Sequence, residues 1–299
     1  MVRKLRIEFE GARYHVINRG NYRSDVFKSS GAADSFLKTL EEAVEKYGWI
    51  LFGYVLMRNH YHLAIETPRG NLSGGMHWLQ STFSTRFNRF RGERGHLFQG
   101  RFTSAVLEDD HAVGRVVDYI HLNPVRAKVI SIKKVGDFQL SSLSRLTQKT
   151  GIRGLDSRVW MEALGLKKTV KGWRKYILHL GDVCGTDEDG VVRNTWAVGS
   201  QAWRRNLARS YGAKTGNAAL TQAQRKGFRE AQWEARLVEL LHEVNRSEDD
   251  LTGGSKFPEW KLAIAKVLKD ELAANSNWIT DRLQMGTAGS LRVYLTRRI

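Results

Sequence analysis

The chain has 299 residues, enough for about two domains and a real core, with an ordinary apolar share of 41%. Lys and Arg number 48 against 31 acids, giving a net charge of +17 and a pI near 10.1, a balance that points to polyanions and first to nucleic acid. The single cysteine, Cys184, excludes an intrachain disulfide and a Cys-rich zinc site; with no signal peptide and no apolar run near the ~20 residues of a membrane span, the expected setting is cytoplasmic and chromosome-associated, with no membrane partner.

In chain order, residues 13–18 (RYHVIN) read as a strand. Residues 29–47 read as a helix, with Phe36, Leu40, Val44 and Tyr47 at helical spacing and Gly48 where a helix stops. Strands follow at 49–57 and 60–67, joined by a turn at Arg58-Asn59. A helix over 72–90 carries Phe83, Phe87 and Phe90, expected to pack inward. A strand over 98–107 leads to a helix capped by Asp109 or Asp110 and stopped by Pro124 after Asn123. The order β-α-β-β-α-β-α predicts an α+β sandwich, an antiparallel sheet with helices on one face. Residues 128–154 carry few large apolar side chains, so a boundary is placed there: a domain over 1–135, a linker over 136–154 and a mainly α-helical region over 155–299. Within the last, 230–244 and 258–272 are the clearest helices, and 182–193 and 211–219 read as loops.

The strongest chemical signal is His60-Tyr61-His62. Side chains two apart on a strand share a face, so the two imidazoles project together and Tyr61 points into the core. Two neutral imidazoles can grip a divalent metal, although such a pair also occurs by chance in a half-buried strand. Downstream, Tyr119 and Asn123 are spaced i, i+4 and share one face of a helix. Asn123 is a candidate third ligand, since Mg²⁺ and Mn²⁺ favour oxygen; its local alternative is a helix-ending residue before proline. Glu66 shares the strand face of the histidines and is a candidate to orient one of them or accept a proton, beside the alternative of a solvated or salt-bridged carboxylate.

Four segments in order, VINRGN (16–21), LMRNHYHLAIETP (56–68), GHLFQGRF (95–102) and YIHLNPVRA (119–127), resemble the HUH single-tyrosine transposases of small bacterial insertion sequences, and within them the REP-associated tyrosine transposases. The resemblance covers residues 11–130. It implies a ferredoxin-like fold with the histidines on a central strand, metal ligation by His60 and His62, and Tyr119 as the nucleophile of single-strand DNA cleavage and strand transfer through a 5′-phosphotyrosine. It departs at Tyr61, where an aliphatic residue is common, and at Arg58, where proline is frequent. A DNA-binding regulator on the same fold that does not cut is the alternative, disfavoured by the intact set His60, His62, Tyr119 and Asn123.

Candidate DNA contacts are Asn18 and Arg19 in the glycine-bearing turn, and Arg86, Arg89 and Arg101 for phosphates. At the C-terminus, residues 275–298 outline a helix-turn-helix: Asn275 or Ser276 caps a short helix, Gly286 makes the turn, and Thr287 caps a second helix bearing Arg292, Arg297 and Arg298. It resembles the DNA-binding segment of bacterial replication initiators, and an ordinary helical hairpin is the alternative. The expected partner is single-stranded or hairpin DNA, with duplex DNA at this segment; a homodimer is compatible with the reading.

Overall fold

The computed structural model describes residues 6–148, 150–186, 192, 195–212, 220–252 and 255–296. Two compact units result, one of residues 1–200 with 217–224, the other of 201–216 with 225–299. Among the described residues no helix is long and apolar enough to cross a membrane.

The first unit is built on β1 (Ala12–Arg19), α1 (Ser30–Tyr47), β2 (Ile50–Met57), β3 (His60–Thr67), α2 (Leu72–Arg91), β4 (Thr103–Leu107) and α3 (Asp110–Arg126). Local chemistry sets the ends. Ser29 Oγ accepts from Ala32 N at 3.3 Å, and Gly48 closes α1 at φ 66°, a left-handed conformation that glycine adopts without a Cβ clash. Asp109 caps α3 by accepting from Ala112 N at 2.8 Å. Pro124 does not end that helix, as the sequence suggested. It lies buried in the last turn and the helix runs on to Arg126.

The sheet order is β2-β3-β1-β4-β5, with β5 a two-residue strand (Ala197–Val198) parallel to β4 and all other pairings antiparallel. The first four strands with their two helices have the ferredoxin-like order that the motifs implied. One face packs under α1 and α2, where Tyr61, Phe36 and Phe83 meet edge-on or tilted and Gln80 donates to the Tyr61 hydroxyl at 2.7 Å. The other face lies under α3, which the order of elements alone does not place. The strand expected over 98–107 begins only at Thr103; residue 98 makes an isolated bridge to Gly20.

The segment expected as a linker, 136–154, is part of this unit. Leu143 and Leu146 of α4 (Ser142–Thr147) are buried with α3. So are Trp160 of α5 (Arg158–Ala163) and Trp173, Tyr176 and Leu180 of α6 (Val170–Val183). A polar chain reinforces them. The Tyr176 hydroxyl donates to Asp118 Oδ1 at 2.7 Å, His121 Nδ1 meets the same hydroxyl at 2.8 Å, and His179 Nε2 meets Asp118 Oδ2 at 2.8 Å. Asp118 and His121 flank Tyr119 in sequence, so α6 fixes the rotation of the helix that carries it.

The second unit contains α7 (Gln201–Tyr211), α8 (Gln222–Glu243, within this unit from Arg225), α9 (Glu259–Leu272), α10 (Ser276–Arg282) and α11 (Ala288–Thr296). Trp233, Leu237, Leu241, Leu268, Ile279, Leu283 and Leu291 form its core. Asn275 caps α10 through Asn277 N at 2.8 Å, and Thr287 Oγ1 accepts from Ser290 N at 3.1 Å. The left-handed turn residue is Gln284 (φ 51°) rather than Gly286. The expected loops at 182–193 and 211–219 lie mostly outside the described residues.

Candidate active site

Strand pairing assembles the site. β3 sets His60, His62, Ala64 and Glu66 on the α3 face, and β1 lays Arg19, Ile17, His15 and Arg13 opposite them in register. His62 is buried and His60 is half-buried, with ring centroids 5.1 Å apart. From α3, the Tyr119 ring stands edge-on to both His62 and His15, at 5.6 Å from each. One turn on, Asn123 lies within side-chain reach of His60 and favours its protonated form. The four residues singled out on sequence therefore converge on one sheet face.

Three further residues belong to the site. His15, 1% exposed, places Nε2 at 2.9 Å from His62 Nδ1. Asn59 Nδ2 donates to Arg23 O at 3.4 Å, which turns its Oδ1 toward His60 Nδ1 at 2.8 Å. With its Nδ1–H donating to Asn59 Oδ1, His60 would present the Nε2 lone pair. Arg126 donates to Tyr119 O at 2.9 Å and sets its guanidinium 4.8 Å from the Tyr119 ring centre, a cation–π contact that fixes the ring.

Burial keeps these imidazoles neutral. His15 is pushed down to about 3 by desolvation, and His60 to about 4 by desolvation and then Arg19. His62 lies well below its ordinary value through burial, then His15, His60 and two arginines. His121, buried behind α3, is held at about 3 by desolvation. The unfolded chain, with histidines near 6.5, binds more protons than the folded one between about 3 and 6.5. Stability must therefore rise with pH across that window and be lost as pH falls from 6.5, by at most about 1.4 kcal/mol per pH unit for each fully buried ring. Urea midpoints in EDTA should fall between pH 7 and pH 5; equal midpoints would contradict neutral burial.

Other expected residues take different places. Glu66 does not orient a histidine: it pairs with Arg13 at 2.9 Å, and Arg13 also pairs with Asp110. Asn18 does not face solvent. Only 6% exposed, it donates to Gly100 O at 3.3 Å and accepts from Arg19 N at 2.8 Å, bracing the turn. Arg86 is tied to Thr39 Oγ1 and Glu42, each at 2.8 Å. Arg19, Arg89, Arg101 and Arg292 are exposed; Arg297 and Arg298 lie outside the described residues. His15 was hidden in RYHVIN because only the β1–β3 register brings it to His62.

Residues 8–123 match the family described as IS200-like transposases. Over that segment the resemblance carried by the four motifs holds, and the segment contains His15, His60, His62, Tyr119 and Asn123. Among solved structures, the chain is similar to a REP-associated tyrosine transposase bound to a REP hairpin, at 20% identity and TM-score 0.41, over 52% of this chain and 88% of that one. It is also similar to a protein from Deinococcus radiodurans R1 described as a transposase, at 18% identity and TM-score 0.30, over 43% and 92%. No curated protein matches the chain.

Proposed function

We propose that the first unit is a transposase-like, metal-dependent single-strand DNA endonuclease and strand transferase that works through a 5′-phosphotyrosine on hairpin or repeat DNA. The observation that carries this reading is the convergence of two neutral imidazoles, His60 and His62, with the Tyr119 ring and the Asn123 amide on one sheet face. The family match over the same residues supports it.

The donor set fits a hard divalent cation. Among the described residues no group of three His, Cys, Asp or Glu is placed to hold a metal, so the set is two imidazoles with the Asn123 amide oxygen. His60 presents Nε2; His62 does the same when its Nδ1–H donates to His15, which orients the ring as an outer partner. Bound Mg²⁺ or Mn²⁺ would supply charge neutralisation at the scissile phosphate. Tyr119 Oη attacks phosphorus, the new O–P bond replaces the P–O3′ bond, the phenol proton leaves to solvent, and the departing 3′-oxygen takes one up. A 3′-OH reverses the step without ATP, because the phosphodiester energy is kept. Arg126 holds the Tyr119 ring and adds positive charge where phosphate charge grows. In the second unit, α10 and α11 with exposed Arg292 are read as a duplex-DNA reader.

His60→Ala and His62→Ala should each lower Mn²⁺-dependent cleavage of a labelled hairpin oligonucleotide by about a hundredfold or more, the scale of several kcal/mol of charge stabilisation. His15→Ala should weaken Mn²⁺ binding in titration calorimetry by roughly 10- to 100-fold. Wild-type cleavage undiminished in excess EDTA would contradict the metal role.

A further inference from the structure

One exposed aromatic stands on a backbone that aromatic residues avoid. Tyr22 is 94% exposed and adopts φ 49°, ψ 28°, and Arg23 follows at φ 59°. Two successive non-glycine residues in the left-handed region are unfavourable, and an exposed ring buries nothing in return. Phe90, also exposed at 89%, sits on ordinary helix and carries no such cost. Ser24 N closes the turn onto Asn21 O at 2.9 Å, a geometry that puts both central residues at positive φ and that glycine or asparagine would meet at lower cost than tyrosine; the choice of tyrosine there is a reason to look for a function.

The turn is held firmly. Gly20 N donates to Asn59 O, Asn21 N to Leu97 O and Gln99 N to Arg19 O, each at 2.8 Å. Gly20 is required by close approach: a Cβ there would lie 2.6 Å from Ser24 O and 2.7 Å from Val26. Asn59, which anchors the turn at Gly20 and Arg23, also bonds His60. The loop that bears Tyr22 is thus joined to the candidate site through Asn59 and through Arg19, which lies opposite His60 in the β1–β3 register. Arg19 and Arg23 flank it, both exposed. Residues 18–24 hold no acid, and the next one, Asp25, is paired with Arg58 at 2.6 Å.

We propose that Tyr22 is a stacking platform for an unpaired DNA base beside the scissile phosphate, with Arg19 and Arg23 taking the adjoining phosphates. This rests on the reading of the site as one that handles single-stranded DNA. An aromatic face takes any base, and cations beside it follow the backbone. A base held there fixes the strand next to Tyr119, so the platform positions the substrate and takes no part in bond making.

The test uses the full chain carrying Tyr119→Phe, so that binding is read without cleavage, with single-stranded oligonucleotides bearing 2-aminopurine at successive positions. Tyr22→Asn keeps the left-handed backbone, which asparagine tolerates, and removes the ring; Tyr22→Phe keeps the ring. The parent and Tyr22→Phe should quench 2-aminopurine at one position. Tyr22→Asn should lose that quenching and bind roughly 5- to 100-fold more weakly, with an unchanged melting profile. Equal binding and quenching by Tyr22→Asn would overturn the platform while leaving the single-strand reading intact. A Tyr22→Phe protein as weak as Tyr22→Asn would also overturn it, since the hydroxyl and not the ring face would be the contact. If the parent binds no single strand at low salt, both readings fall together.

Discussion

Tyr119→Phe is expected to abolish cleavage and strand transfer while leaving the fold in place. The substitution removes one oxygen from a half-buried ring and keeps its edge-on contacts with His15 and His62 and its place beneath the Arg126 guanidinium. Stability should change by no more than about 1 kcal/mol. Activity should fall on the order of a millionfold, the scale seen when a nucleophile is taken from a set that acts as a unit. Turnover and the denaturant midpoint separate the two effects. A Phe protein that cuts at a tenth of the wild-type rate would mean that a water or another side chain attacks the phosphate.

The second large effect concerns the chain beyond α3. A fragment ending at residue 148 keeps every residue of the candidate site but loses Trp160, Trp173, Tyr176 and Leu180, all packed against α3. Losing a buried aromatic side chain costs about 3–5 kcal/mol, so three of them remove on the order of 10 kcal/mol, against a typical total of about 5–15 kcal/mol. Asp118 and His121 would also lose the Tyr176 hydroxyl. The fragment should lack near-ultraviolet dichroism and a cooperative urea transition. A cooperatively folded fragment would show that α5 and α6 merely cover the sheet.

Composition placed the boundary inside this unit because 128–154 is poor in large apolar residues, and the buried ones that follow are separated from α3 by loops. Their contacts are long-range, and no local pattern announces them. The same distinction runs through the site. His60 with His62, and Tyr119 with Asn123, were legible because strand and helix periods fix which neighbours share a face. His15 was not, since its meeting with His62 depends on the register of β1 on β3. Asn18 looked like a base-reading residue in an open turn, yet it sits one residue before the exposed Arg19 and turns inward to Gly100. Pro124 read as a helix stop, but it is buried within the last turn and the helix continues to Arg126. The Phe90 ring, read as packing inward with Phe83, faces solvent in the last turn of α2.

In the proposed reaction Tyr119 becomes linked to the 5′ end of a cut strand. Full-length protein is incubated with a hairpin oligonucleotide and Mn²⁺, denatured, digested with protease and nuclease, and examined by mass spectrometry. The peptide containing Tyr119 should carry a nucleotide joined through phosphate, formed with Mn²⁺ and absent in EDTA. Cut DNA with a free 5′-phosphate and no modified peptide, or a nucleotide attached to any other residue, would contradict it.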